Sequence, residues 1–181
     1  MCSLAQGGWP LGWGSNEYGQ VGDRVTVSEL APVKSLMHDV EAIVAGSEHT
    51  LALKSDGTVW AWGLNYFGEL GDGTSTNRIA PVRVWGLSSV VSMAAGGSAS
   101  LALKSDGTVW AWGLNDCGQL GDGTTDRRNV PTRVPGLSGV VAMAVGGAHS
   151  LALKSDGTVW AWGDNSSGQL GNGTKTKRAT T

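Results

Sequence analysis

The stretch LALKSDGTVWAWG occupies Leu51–Gly63 and returns without a single change at Leu101–Gly113 and Leu151–Gly163. A worn copy opens the chain: WGSNEYGQVGD (Trp13–Asp23) matches WGLNYFGELGD (Trp62–Asp72). Pro32, Pro81 and Pro131 follow the same spacing, as do Gly46, Gly96 and Gly146. A fixed period of about 50 residues marks stacked supersecondary units. Residues 1–181 therefore read as one repeat domain. It holds a worn partial repeat over 1–45 and repeats at approximately 46–95, 96–145 and 146–181.

Four strand-like pieces fit in each period. In the middle one they are Pro81–Val84, Val90–Ala95, Ser100–Lys104 and Thr108–Trp112. Ser105-Asp106-Gly107 joins the last two, and Gly57, Gly107 and Gly157 supply the left-handed residue that a short hairpin loop needs. Such a loop pairs Leu53 with Val59, Ala52 with Trp60 and Leu51 with Ala61. Side chains alternate along a strand, so Leu51, Leu53, Val59 and Ala61 share one face. Ala52, Lys54, Trp60 and Trp62 share the other. Neither face is consistently polar, which predicts a sheet sandwiched between two others. The Trp face of one unit then packs on the Leu/Val/Ala face of the next, with Trp60, Trp62, Trp110, Trp112, Trp160 and Trp162 as the structural anchors. After each second Trp, the G-x-N-x-x-G run places Asn65, Asn115 and Asn165 in a long ordered loop. Four short antiparallel strands per period with no helical periodicity give an all-β fold, a β-propeller of four-stranded blades. The chain holds about 3.5 of them.

Composition narrows the function. The 181 residues include 29 Gly and 9 Trp, and the net charge of −2 lacks the basic footprint of nucleic-acid binders. No apolar run approaches the ~18 residues of a membrane span, and MCSLAQGGWP has neither the basic nor the apolar region of a secretion signal. The default compartment is the cytoplasm. Cys2 and Cys117 form no disulfide framework. His49 and His149 share a repeat position at which the middle copy has Ala99, so a structural role outweighs a catalytic or metal-binding one. No nucleophile–base pair or metal-ligand spacing appears, no calcium-loop series surrounds Asp72 or Asp122, and no P-loop lysine follows the Gly-rich runs. No catalytic residue, metal or cofactor is expected.

The string from His149 to Gly171, H-S-L-A-L-K-S-D-G-T-V-W-A-W-G-D-N-S-S-G-Q-L-G, resembles the regulator of chromosome condensation repeat, and three good copies plus the worn one cover nearly the whole chain. The near-identical copies are bacterial in style. Kelch repeats share the period but carry a spaced Tyr after a double Gly, and that Tyr is missing after Gly96-Gly97. The resemblance implies a seven-bladed ring. The chain is then a piece of a longer propeller, one half of a homodimer that completes seven blades, or an open half-propeller. It also implies three activities: nucleotide exchange on a small GTPase, ultraviolet sensing, and β-lactamase inhibition. The sensing motif G-W-R-H-T has no counterpart in GSEHT, GGSAS or GGAHS, exchange calls for a loop longer than any here, and the inhibitor matches only the scaffold.

What remains is recognition: a non-catalytic protein-interaction scaffold, with guanine nucleotide exchange regulation as the alternative and a protein as partner. Binding side chains should lie where the copies disagree. Those positions are Tyr66, Phe67, Arg78, Trp85, Asp116, Arg127 and Arg128.

Overall fold

A computed structural model describes residues 2–5 and 7–181. All its regular elements are strands, arranged in four antiparallel sheets. The first holds β1 (Cys2–Ala5), β2 (Trp9–Gly14) and β3 (Glu29–Lys34). The second holds β4 (Val40–Ala45), β5 (His49–Lys54), β6 (Val59–Gly63) and β7 (Arg78–Arg83), in that spatial order. The third repeats this with β8 (Val90–Gly96), β9 (Ala99–Lys104), β10 (Val109–Gly113) and β11 (Arg128–Arg133). The last has β12 (Val140–Val145), β13 (His149–Lys154) and β14 (Val159–Gly163). These are propeller blades. At the chain's end only a bridge from Gly163 to Arg178 starts a fourth strand.

The central hairpin has the register that its turn dictates: Leu51 faces Ala61, Ala52 faces Trp60 and Leu53 faces Val59. Gly57 takes φ +73°, closed by its N–H on the Lys54 carbonyl at 2.9 Å, and Asp56 accepts the Thr58 N–H and hydroxyl. Gly107 and Gly157 repeat the geometry.

The strand grouping differs from the sequence reading in one respect. Pro81–Val84 does not belong with Val90–Ala95. It lies in β7, the outer strand of the preceding sheet, pairing Val82 with Ala61. The physical reason is the free edge of β6, whose backbone groups need a partner. The long loop 64–77 returns the chain to supply one, and the Gly86–Ser89 segment then crosses to the next sheet. Pro32, Pro81 and Pro131 all sit on these outer strands, where a missing N–H costs no ladder bond.

The sheets stack face to face. Leu51, Leu53, Val59 and Ala61 of the second sheet bury against Ala102, Trp110 and Trp112 of the third. Leu101, Leu103, Val109 and Ala111 of the third bury against Ala152, Trp160 and Trp162 of the fourth. Trp62, Trp112 and Trp162 are fully enclosed. Each buries roughly 150–250 Å², so the Trp anchors dominate the sheet-to-sheet contact.

Candidate protein-interaction surface

Each long loop between the third and fourth strands is built on one buried asparagine. The Asn65 side-chain amide reaches Asp72 Oδ1 and the carbonyls of Thr74 and Thr76, at 3.1 to 3.2 Å, while its Oδ1 accepts the Leu70 N–H at 2.9 Å. Asn115 and Asn165 repeat the set in their own loops. A side chain that replaces so many backbone partners fixes a loop that has no ladder of its own.

Arg78 and Arg128 are committed to this frame. Arg78 donates from Nε to Asp72 Oδ2 at 2.8 Å, and Arg128 donates to Asp122 Oδ2 at 2.7 Å. Burial pushes the Asp72 and Asp122 carboxyls up, but hydrogen bonds from Thr74 or Thr124 and from the arginine outweigh it and hold both below the usual carboxylate range. These two arginines are half-buried loop clamps rather than free binding groups.

The other variable residues gather differently. Tyr66 and Phe67 meet edge to face, centroids 4.8 Å apart at 83°. The Arg127 guanidinium, from the next blade's loop, lies 4.4 Å from the Phe67 centroid and 6.0 Å from that of Tyr66. Asp116 Oδ1 lies 3.5 Å from Nε of the same guanidinium. Lys177 extends the series by donating to the Asp116 carbonyl at 3.3 Å. Tyr66 is 66% exposed, and together with Tyr18, Leu64, Phe67 and Asn77 it lines a concavity of about 720 Å³. Tyr18 and Asn77 stand at the same variable repeat positions, since Tyr18 aligns with Phe67, and Asn77 with Arg127. Trp85 stands apart on the outer edge after β7, largely exposed, with its N–H on the Gly71 carbonyl.

A buried polar chain runs beneath the loops. His49 Nε2 meets Ser100 Oγ at 2.9 Å, and that hydroxyl donates to the Glu69 carbonyl at 2.9 Å, where Trp112 Nε1 also donates at 2.7 Å. With its proton given to the carbonyl, the Ser100 oxygen accepts, so His49 carries its proton on Nε2. Burial lowers the His49 pKa to about 4 and keeps it neutral. Glu69 replaces the Gln found at positions 20, 119 and 169. Its Oε2 accepts the Phe67 N–H at 2.8 Å, as the Gln oxygens do for their own loops. Its Oε1 is buried with no well-formed hydrogen bond. Burial raises the Glu69 pKa, and the nearby Glu48 carboxylate adds to the rise, against partial relief from backbone N–H groups and Ser98. Among the described residues no three His, Cys, Asp or Glu side chains converge as a metal site, and no helix is long and apolar enough to cross a membrane.

The family model described as RCC1-like domain matches residues 1–181. No curated protein matches the chain. Among solved structures, yeast RCC1 (Prp20) bound to Kap60 is similar, with a TM-score of 0.86 at 25% identity, covering 99% of this chain and 45% of that one. Human WBSCR16 gives a TM-score of 0.85 at 27% identity, with 99% and 48% covered. Prp20p from Saccharomyces cerevisiae, described with its binding properties to Gsp1p and histones, gives 0.86 at 25% identity, with 99% and 47% covered. The chain thus spans about half the length of the solved proteins it matches.

Proposed function

The chain belongs to the RCC1-like domain family, and from that premise we propose that it is a non-catalytic scaffold that recognises a protein through its loop face. The observation that supports this most directly is the Tyr66–Phe67–Arg127–Asp116 cluster. It joins the loops of two adjacent blades, sits beside a concavity of about 720 Å³, and occupies positions that the frame leaves free. Exposed aromatics and arginine are the usual anchors of protein interfaces. The matched yeast proteins bind protein partners, which favours the same kind of ligand here.

The test is crosslinking from a photoreactive phenylalanine analogue placed at Tyr66, with one at Val91, exposed on β8, as control. A partner captured from Tyr66, absent from Val91 and lost on Arg127→Ala supports the loop-face reading. Capture at equal yield from both positions overturns it.

A second reading, exchange regulation of a small GTPase, is favoured by the similarity to Prp20p. Release of labelled guanine nucleotide from a GTPase panel, accelerated by substoichiometric amounts of the chain, would replace the scaffold reading with this one.

A further inference from the structure

At one repeat position the good copies hold Gly73, Gly123 and Gly173, at φ +81°, +87° and +75°. The worn copy holds Arg24 there, at φ +72°. Its N–H meets the Ile79 carbonyl at 3.0 Å, as the Gly73 and Gly123 N–H groups meet those of Asn129 and Ala179 at 2.9 Å. The left-handed region costs free energy for a residue with a Cβ. The arginine therefore stands where glycine would serve the backbone better, and an outlier of this kind points to a task for its side chain.

A second departure lies beside it. A Cβ on Gly73 would stand 4.0 Å from the Trp85 ring. In the first sheet Leu36 takes the place of Trp85, with its N–H on the Gly22 carbonyl as that of Trp85 is on Gly71. The connection is also one residue shorter, Ser35–Asp39 against Val84–Ser89 and Val134–Gly139. Where the second sheet sets glycine beside an indole, the first sets arginine beside a leucine. A pocket of about 280 Å³ opens here, at the outer edge of the junction between the first two sheets. Arg24, Met37 and His38 line it together with Lys54, Trp60 and Pro81.

The charges around it do not cancel. Among the described residues, no side chain hydrogen-bonds or ion-pairs with the Arg24 guanidinium or the Lys54 ammonium. Lys104 and Lys154 lie over the rings of Trp110 and Trp160, at 5.7 and 5.5 Å, and Lys54 makes no such contact with Trp60. The carboxylates nearby are committed, Asp39 to His38 and Asp56 to the Thr58 N–H and hydroxyl. Lys34 lies over the Trp9 ring, 4.6 Å from its centroid. Two cations thus stand without a partner beside apolar walls. The Trp60 indole N–H goes to Thr58 Oγ1 at 3.3 Å, so that side chain offers the pocket carbon.

We propose that this pocket binds a small aromatic carboxylate. Arg24 presents a fork that matches a carboxylate through two parallel hydrogen bonds. Lys54 adds a second positive charge, and Met37, Trp60 and Pro81 give the ring an apolar surface. A bare inorganic anion would use the cations and leave those walls unused. The volume lies just under the ~300–1,000 Å³ of sites for drug-sized ligands, which suits a single ring. The pocket shares no residue with the loop-face cluster and is independent of the protein-recognition reading.

The test is titration with phenylacetate, followed by ligand-observed NMR and calorimetry, with phenylacetamide and inorganic phosphate as comparison ligands. Phenylacetate should bind saturably at one site per chain, and the other two at least tenfold more weakly. Arg24→Gly restores the residue of the other copies and removes the left-handed strain. It should weaken phenylacetate at least tenfold with no loss of thermal stability. Lys54→Gln should weaken it severalfold, and Arg133→Gln, on the outer strand of the third sheet, should leave it unchanged. Absence of saturable phenylacetate binding overturns the proposal. So does equal or tighter binding of the amide or of phosphate, or unchanged affinity in Arg24→Gly or Lys54→Gln.

Discussion

Three identical valines in different surroundings make a controlled measurement of sheet stacking. Val59→Ala, Val109→Ala and Val159→Ala change the same atom group in the same hairpin, so strand propensity and turn effects cancel between them. Removing two methyl-sized groups costs about 1.6 kcal/mol in transfer at ~0.8 kcal/mol each. At Val59 and Val109, which are enclosed, the hole left behind adds to this, for about 2–3 kcal/mol in all. At Val159, 66% exposed, only about a third of the transfer applies and no closed cavity forms, giving about 0.5 kcal/mol. Equilibrium urea unfolding reads the difference as a shift in midpoint at constant slope. Equal losses at Val109 and Val159 would refute the account, because they would show that the neighbouring sheet contributes nothing to burial.

Further tests use the buried polar groups. Glu69→Gln restores the residue of the other copies and removes a buried oxygen without a good partner, so it should stabilise the chain by about 1–2 kcal/mol at pH 7 by urea unfolding. A carboxyl whose folded pKa is raised gives stability that is full below its unfolded pKa and lost as pH rises. The gain from Glu69→Gln should therefore shrink at pH 4. His49 has the opposite sign. Its folded pKa, about 4, lies below the ordinary 6.5, so the unfolded chain takes up a proton first as pH falls. About 3 kcal/mol is lost between roughly pH 6.5 and 4, at 1.36 kcal/mol per pKa unit, and His49→Gln should flatten that part of the profile. Asn115→Ala strands the Leu120 N–H and the Thr124 and Asp126 carbonyls, and should cost about 3 kcal/mol by thermal unfolding.

Much of the fold was legible because the chain repeats itself. The hairpin register followed from the Asp-Gly turn, and the two apolar faces followed from alternation. The outer strand was misgrouped because its ladder partner lies across a long loop. Sequence neighbours favoured pairing Pro81–Val84 with Val90–Ala95, whereas the backbone hydrogen bonds of Ala61 and Gly63 decided otherwise. The variable residues were visible as differences between copies, but their division into clamps and surface was not. Arg78 and Arg127 look alike in sequence. One is claimed by Asp72 through the fold of its own loop, and the other lies across the Phe67 ring of a neighbouring blade.

That division also explains how a nearly invariant scaffold can acquire specificity. Loop shape is set by Asn65, Asp72 and the left-handed glycines through contacts to backbone, so the residues between them carry little structural demand. Across successive interblade junctions, Tyr18 and Asn77 line one concavity, Arg127 lies over the Phe67 ring, and the Asp116 carbonyl accepts from Lys177. Each junction presents a different chemistry on the same geometry. The Trp, Leu and Val positions have no such latitude, since each must fit a copy of its own sequence on the facing sheet. Substitution there is opposed twice, once in its own blade and once in the next. Change at the junction tips is opposed by neither, and so recognition can vary at those tips while the stacked sheets stay the same.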